Sequence, residues 1–233
     1  MRLSIRLRQV QHNLAENGPL TTLYKVYFYI YGHLYDRLAG GLNTTSPETV
    51  ETLAEDGRPL GDRSAAFPCH PRVLRHALMK LKITPQDVFM DIGCGKGRAL
   101  VEAHRFSFGR LVGVDMISSH ISITRGNLQK LGVDPELILG DARRVTFPED
   151  ASICFLFKPF PEEVILECVQ RLGSNVRAVI LMGTSDLEEI AGYRLTRDYT
   201  HRPCSRFNYR IFERESVPQR LEAQPSQPVI ADA

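Results

Sequence analysis

The chain has 233 residues, 43% of them hydrophobic and 24% charged, with a formal net charge of +2. That length suits one α/β domain with extensions, and so small a charge announces neither nucleic acid nor a membrane as partner. Its five cysteines (Cys69, Cys94, Cys154, Cys168, Cys204) form no CxxC pair and no metal-spaced cluster with histidine, so the chain reads as a reduced, cytoplasmic protein holding no metal. No continuous apolar segment follows Arg2, Arg6 and Arg8, which argues against a secretory signal. The densest apolar run, VYFYIYGHLY at 26–35, is too short to span a bilayer.

Residues 1–44 carry two helical stripes, Leu3, Leu7, Val10 and Leu14 first, then Leu20, Tyr24, Tyr27, Tyr31, Leu34 and Leu38, with Gly40-Gly41 as the stop. Residues 45–66 are polar and turn-rich, the pattern of a loop or lid. Strand and helix signals then alternate: HPRVLRHALMKLKI is a helix, DVFMDIG a strand, KGRALVEAHRFS a helix, RLVGVDM a strand. Ile117, Ile121, Thr124, Leu128 and Leu131 share a helical face that Gly132 ends. ELILGDA and ASICFLF are strands, PEEVILECVQRLG a helix, RAVILMGTS a strand and SDLEEIAG a short helix. YRLTRDYT and SRFNYRIFERE alternate like an antiparallel pair, and the tail from Ser216 has the Pro/Gln/Ala-rich composition of disorder. Near-continuous apolar strands between amphipathic helices imply a parallel sheet covered on both faces, with ligands at the carboxyl ends of the strands.

The segment VFMDIGCGKGR at 88–98 places glycines between a strand and a helix. A P-loop would need Ser or Thr after Gly95-Lys96 and a glycine where Met90 stands. A dinucleotide fingerprint would need its third glycine at Arg98, not at Gly97. What remains is D-x-G-x-G-x-G, with Asp115 ending the next strand and Asp141 the one after. Glycines at 93 and 95 let the backbone approach a ligand closely, because no Cβ intervenes. Asp91 can sit beneath a cationic amino group, Asp115 can accept hydrogen bonds from both ribose hydroxyls, and Asp141 can reach an adenine amino group.

On these residues the sequence resembles the class I S-adenosylmethionine-dependent methyltransferases, nearest to small bacterial-type members whose first motif reads DxGxGxGR. The resemblance covers roughly residues 65–213 and implies a Rossmann-like α/β fold, a seven-stranded sheet with an antiparallel last strand. It implies S-adenosyl-L-methionine as cofactor, with Asp91, Gly93, Cys94, Gly95 and Gly97 at its methionine end, Asp115 and Met116 at the ribose, and Asp141 and Ala142 at the adenine. Phe67, in FPCHPRVLRHAL, stands where such enzymes fold an aromatic-Pro turn over the cofactor. The expected organisation is an N-terminal helical extension and lid loop over 1–64, the cofactor-binding domain over 65–215 and a tail over 216–233.

The acceptor is less legible. Lys158, Pro159 and Phe160 occupy the position where relatives often carry Asn-Pro-Phe, and a charged lysine cannot accept the hydrogen bond that the Asn takes from an amine. Three readings stay open there: a lysine that attracts an acidic or oxygen acceptor, a solvated lysine, or an impaired catalyst. Lys96 reads as a solvated loop lysine, His104 and His120 as surface or packing residues, and no dyad offers a general base. Residues 194–220 carry seven arginines against three acids, read as a charge-protected edge strand in preference to an RNA or acidic-protein surface. Five of the eight tyrosines lie at 24, 27, 29, 31 and 35, in helices that either cap an acceptor pocket or pad the sheet; a membrane-surface helix is a weaker third reading. The expected function is methyl transfer to a small-molecule or peptide acceptor. The alternatives are a non-catalytic cofactor-binding or scaffold subunit, and a protein or RNA methyltransferase.

Overall fold

The computed structural model describes residues 2–46, 68–157, 161–183, 187–200 and 207–215. Helix α1 (Arg2–Leu38) is broken at Gly18, whose φ of 75° and ψ of 168° leave helical space just ahead of Pro19. The break falls between the two apolar stripes. Gly40 and Gly41 follow the helix at φ 97° and 70°, a region that costs other residues energy, and so turn the chain back. Next come α2 (Pro71–Leu78), β1 (Val88–Ile92), α3 (Arg98–Ala103), β2 (Arg110–Asp115), α4 (Ser118–Gln129), β3 (Glu136–Leu139) and β4 (Ile153–Phe157). The last elements are α5 (Glu162–Gln170), β5 (Ala178–Met182), β6 (Tyr193–Tyr199) and β7 (Tyr209–Arg214).

The strands form one seven-stranded sheet in the order β3-β2-β1-β4-β5-β7-β6. The first five are parallel to their neighbours, and β7 inserts antiparallel to both β5 and β6. Apolar side chains alternate between two cores. Leu74, Leu100, Phe89, Phe155 and Ile180 fill one face, and Met90, Ile92, Leu156, Leu181 and Phe212 the other. Strand order reverses between β1 and β4, which opens a crevice at the carboxyl end of β1. At the opposite edge Asp87 accepts hydrogen bonds from Thr84, Ser152 and Arg177, tying the starts of β1, β4 and β5 together.

One expectation changes. Residues 187–189 are not helical: Leu187 and Ile190 are buried from an irregular segment, Ile190 bridges to Tyr193, and Gly192 at φ 79° turns the chain into β6. Apolar spacing over so few residues is satisfied as well by a packed loop as by a helical turn. β6 is an edge strand with Arg194, Arg197 and Asp198 exposed, and a register shift between Leu195 and Arg197 further breaks its regularity. The expected tail over 216–233 and most of the expected lid loop lie outside the described residues.

Candidate active site

Beyond β1 the chain must turn sharply to start α3, and three glycines make the turn, Gly93 at φ 79°, Gly95 at 52° and Gly97 at 80°. The amides of Gly93 and Cys94 donate to the Val114 carbonyl at 2.8 and 2.9 Å, which lays the loop across the end of β2. Thr124 of α4 donates to the Gly95 carbonyl at 2.8 Å. A Cβ on Gly97 would come within 2.7 Å of Thr124 Cγ2, so only glycine lets α4 press against the loop.

Asp115 is the hub of this turn. One carboxylate oxygen accepts the Gly95 amide at 2.8 Å, and the other accepts the Ile117 amide at 2.9 Å and faces His120 Nδ1 at 3.2 Å. His120 is thus buried on the acid and not a surface residue. Each carboxylate oxygen carries two lone pairs, so Asp115 retains acceptor capacity beyond these donors. Asp141 accepts the Arg143 amide at 2.9 Å and the Arg143 guanidinium at 2.8 Å. Those bonds, chiefly the one from the Arg143 side chain, hold its carboxyl below the ordinary value. Ala142 is buried, and Met116 is half-buried.

Asp91 is different. It is 2% exposed, and among the described residues none hydrogen-bonds its carboxylate. Burial first, then repulsion from Asp115, pushes its pKa well above that of an ordinary carboxylate. Cys94 is buried too, and burial followed by the charges of Asp115 and Asp91 raises its thiol pKa, which leaves it no thiolate character. Phe67, Lys158, Pro159 and Phe160 lie outside the described residues.

Lys96 and Arg98 of the same motif face away from solvent, contrary to the solvated lysine expected. Lys96 Nζ donates to the Ser46 carbonyl at 2.7 Å and to its hydroxyl at 3.0 Å. Arg98 is 3% exposed and bonds Thr44, Thr45 at 2.6 Å and Asp36 at 3.2 Å, with its guanidinium 4.4 Å from the centre of the Tyr35 ring. Asp36 also accepts the amides of Thr44 and Thr45, both at 2.9 Å. Asn127 of α4 exchanges hydrogen bonds with the backbone of Asn43 and donates to the Lys96 carbonyl. Tyr35 donates to the fully buried Glu102, which also pairs with Arg75 at 2.8 Å. Through these bonds the end of α1 and the strap at 42–46 are held to the glycine loop itself. Sequence reasoning missed Asp36, Glu102 and Asn127; the one available signal was a charged Arg98 at the start of a helix that the sheet must bury.

A cavity of about 850 Å³ lies between α1, α2 and the β6–β7 edge, walled by Tyr24, Tyr27, His70, Val73, Tyr199 and Phe207. Tyr199 pairs with Tyr209, which pairs with Met182 at the carboxyl end of β5, so the cavity shares the carboxyl edge of the sheet with the glycine loop. Tyr31 stacks on His70 at 4.6 Å, and Phe28 on Phe207 at 5.4 Å. No carboxylate stands among its described lining residues, whereas Arg72 and His76 do.

Residues 89–178 match the sequence model of a methyltransferase-domain family. A protein named as a cobalt-precorrin-6B C(15)-methyltransferase (decarboxylating) of Saccharolobus solfataricus is 42% identical over 83 residues, 34% of this chain and 42% of that protein. A protein-lysine N-methyltransferase of Saccharolobus islandicus is 33% identical over 67 residues, 28% of this chain and 42% of that protein. The chain thus matches less than half the length of these curated relatives. Among solved structures, an RNA methyltransferase from Salinibacter ruber in complex with S-adenosyl-L-homocysteine superposes with a TM-score of 0.52 at 19% identity, over 67% of this chain and 100% of that one. An Escherichia coli protein described as a methyltransferase gives 0.54 at 18% identity, over 67% and 90%. At such identities the likeness is one of fold.

Proposed function

We propose that this chain is a class I S-adenosylmethionine-dependent methyltransferase, a reading its matched domain and seven-stranded sheet support, and that it methylates a small, largely apolar acceptor that is neutral or anionic. The observation that carries the reading is Asp91, a buried carboxylate with no hydrogen-bond partner among the described residues, set beside glycines that leave the backbone bare. A buried charge in that state calls for a cationic partner, and the methionine ammonium supplies one. Asp115 would take a ribose hydroxyl on the acceptor site its protein donors leave free, with Met116 beside it. Asp141 and Ala142 would border the adenine, and Phe67 would cover the cofactor from the turn before α2. When bound, S-adenosylmethionine supplies a methyl group activated by the positive charge on its sulfur.

The protein's own part is positioning and exclusion of water. The aromatic cavity is of a size suited to small molecules and offers flat apolar walls with hydroxyl tips. Arg72, His70 and His76 are at hand and no described carboxylate is, so an anionic group is better received there than an ammonium. Lys158, Pro159 and Phe160, which follow β4 in the chain, would line the acceptor's approach. Neither acceptor named for the curated relatives is carried over, because the match to each covers only 42% of that protein.

Calorimetric titration with S-adenosylmethionine, S-adenosylhomocysteine and NAD tests the cofactor, and S-adenosylhomocysteine release against a panel of aromatic and aliphatic acids and phenols tests the acceptor. Binding of the first two ligands and turnover with a member of the panel is the expected result. A folded protein that binds neither would overturn the reading, and binding with no turnover on any acceptor would favour a cofactor-binding scaffold subunit.

A further inference from the structure

One side of α1 carries an apolar stripe that the described residues leave largely exposed. Leu23, Ile30 and Leu38 are 65%, 60% and 77% exposed, and Tyr27 and Leu34 between them are exposed as well. At 100° per residue these five fall within an arc of roughly 80°. Single exposed apolar residues are ordinary, but five in one stripe on one helix are not. Leu23 and Tyr27 also line the aromatic cavity, so the stripe runs without interruption into the cavity wall.

We infer that α1 lies on an anionic lipid surface along this stripe, and that the acceptor passes from the lipid into the cavity between Leu23 and Tyr27. Two observations, a basic charge balance and amphipathic aromatic rings, favour a lipid surface over other occupants. Residues 2–38 carry Arg2, Arg6, Arg8, Lys25 and Arg37 against only Glu16 and Asp36, and Asp36 is already paired with Arg98. Exposed Arg37 on the helix and exposed Arg72 at the cavity give that charge balance a place beside the stripe. The exposed Tyr27 and Tyr29 have the amphipathic rings that settle at the lipid–water boundary. The transfer of an acceptor rests on the methyltransferase reading of the cavity, whereas the lipid contact stands on the stripe alone.

Sedimentation with vesicles tests it on the full chain, using phosphatidylcholine alone and phosphatidylcholine with about 30% phosphatidylglycerol. Wild type should sediment with the anionic vesicles, and less so at high salt. The triple variant Ile30→Gln, Leu34→Gln, Leu38→Gln changes only exposed residues outside the cavity wall. It should keep its unfolding temperature and its affinity for S-adenosylmethionine, and lose vesicle partitioning by about tenfold or more. Wild type that stays in the supernatant, or a triple variant that partitions equally, would overturn the inference. So would a wild-type dimer in light scattering that the variant converts to monomer while neither sediments, since the stripe would then be an interface between two copies. If vesicles bind but S-adenosylmethionine does not, the lipid contact stands and the methyltransferase reading alone fails.

Discussion

Arg98→Met tests whether the N-terminal segment is part of the domain or a detachable cover. Methionine retains much of the apolar stem but removes the ion pair with Asp36 at 3.2 Å, the bonds to Thr44 and Thr45, and the contact with the Tyr35 ring at 4.4 Å. Both partners are nearly inaccessible, at 3% and 8% side-chain exposure, so solvent screening does not soften the loss. Asp36 keeps the two strap amides and the Thr44 hydroxyl as donors, which places the cost at the lower end for a broken buried pair, about 3 kcal/mol. In a chain of this size ~3 kcal/mol lowers the melting temperature by about 6–12 °C. Arg98→Lys keeps the charge but not the planar fork, and should fall between the two. Urea and thermal unfolding followed by circular dichroism read the stability, and limited proteolysis reads whether α1 comes away first. A loss below about 1 kcal/mol, the range of an exposed pair, would refute the lock between strap and glycine loop.

Asp91→Asn should leave the protein without ligand at least as stable at neutral pH, because it removes a buried carboxylate that no described residue hydrogen-bonds, yet weaken S-adenosylmethionine binding by roughly 30- to 150-fold, ~2–3 kcal/mol for a charge-assisted contact. The folded pKa of Asp91 is raised, so stability without ligand falls as pH climbs from the unfolded carboxylate range through the folded value, and affinity for an ammonium ligand rises over the same window. Calorimetry across pH reads both, and equal affinity of variant and wild type would take Asp91 out of the site. Burial acts to raise the Asp87 pKa, but hydrogen bonds from Arg177, Ser152 and Thr84 outweigh it and bring the value to about 2. Its stabilisation, at most about 2 kcal/mol, is complete above the unfolded carboxylate range and is lost as pH falls through the folded value. Asp87→Asn should therefore cost stability at pH 7 and little near pH 2, and a cost that does not shrink with acid would contradict the assignment. Deleting residues 1–44 takes Asp36 and Thr44 from Arg98, Tyr35 from Glu102 and Asn43 from Asn127, so unfolding temperature and cofactor affinity should drop together. A truncated protein that melts normally and binds S-adenosylmethionine would restore the separable lid.

Periodicity and glycine placement determined a good deal without any structure. The apolar strands, the two stripes of α1 with their break and stop, and the turn after β1 depend on short-range chemistry, on side-chain period and on positive φ at Gly93, Gly95 and Gly97. The antiparallel pairing of β6 with β7 was legible for the same reason, because alternation along each strand records which face is buried. The short helix read at 185–192 was not, since Leu187 and Ile190 satisfy the core from a loop as readily as from a turn of helix. What the buried charges do was decided only in three dimensions. Lys96 and Arg98 look in sequence like a solvated lysine and a motif ending, and their partners Ser46, Thr44 and Asp36 lie about 50 residues or more away along the chain. Asp115 was read as facing a ligand, but its first donors are the Gly95 amide and its neighbours, brought there when β2 packs beside β1. Local preference decides where a chain turns and which face it hides; a buried charge is settled by whichever distant donor the fold brings to it, and no local pattern records that choice.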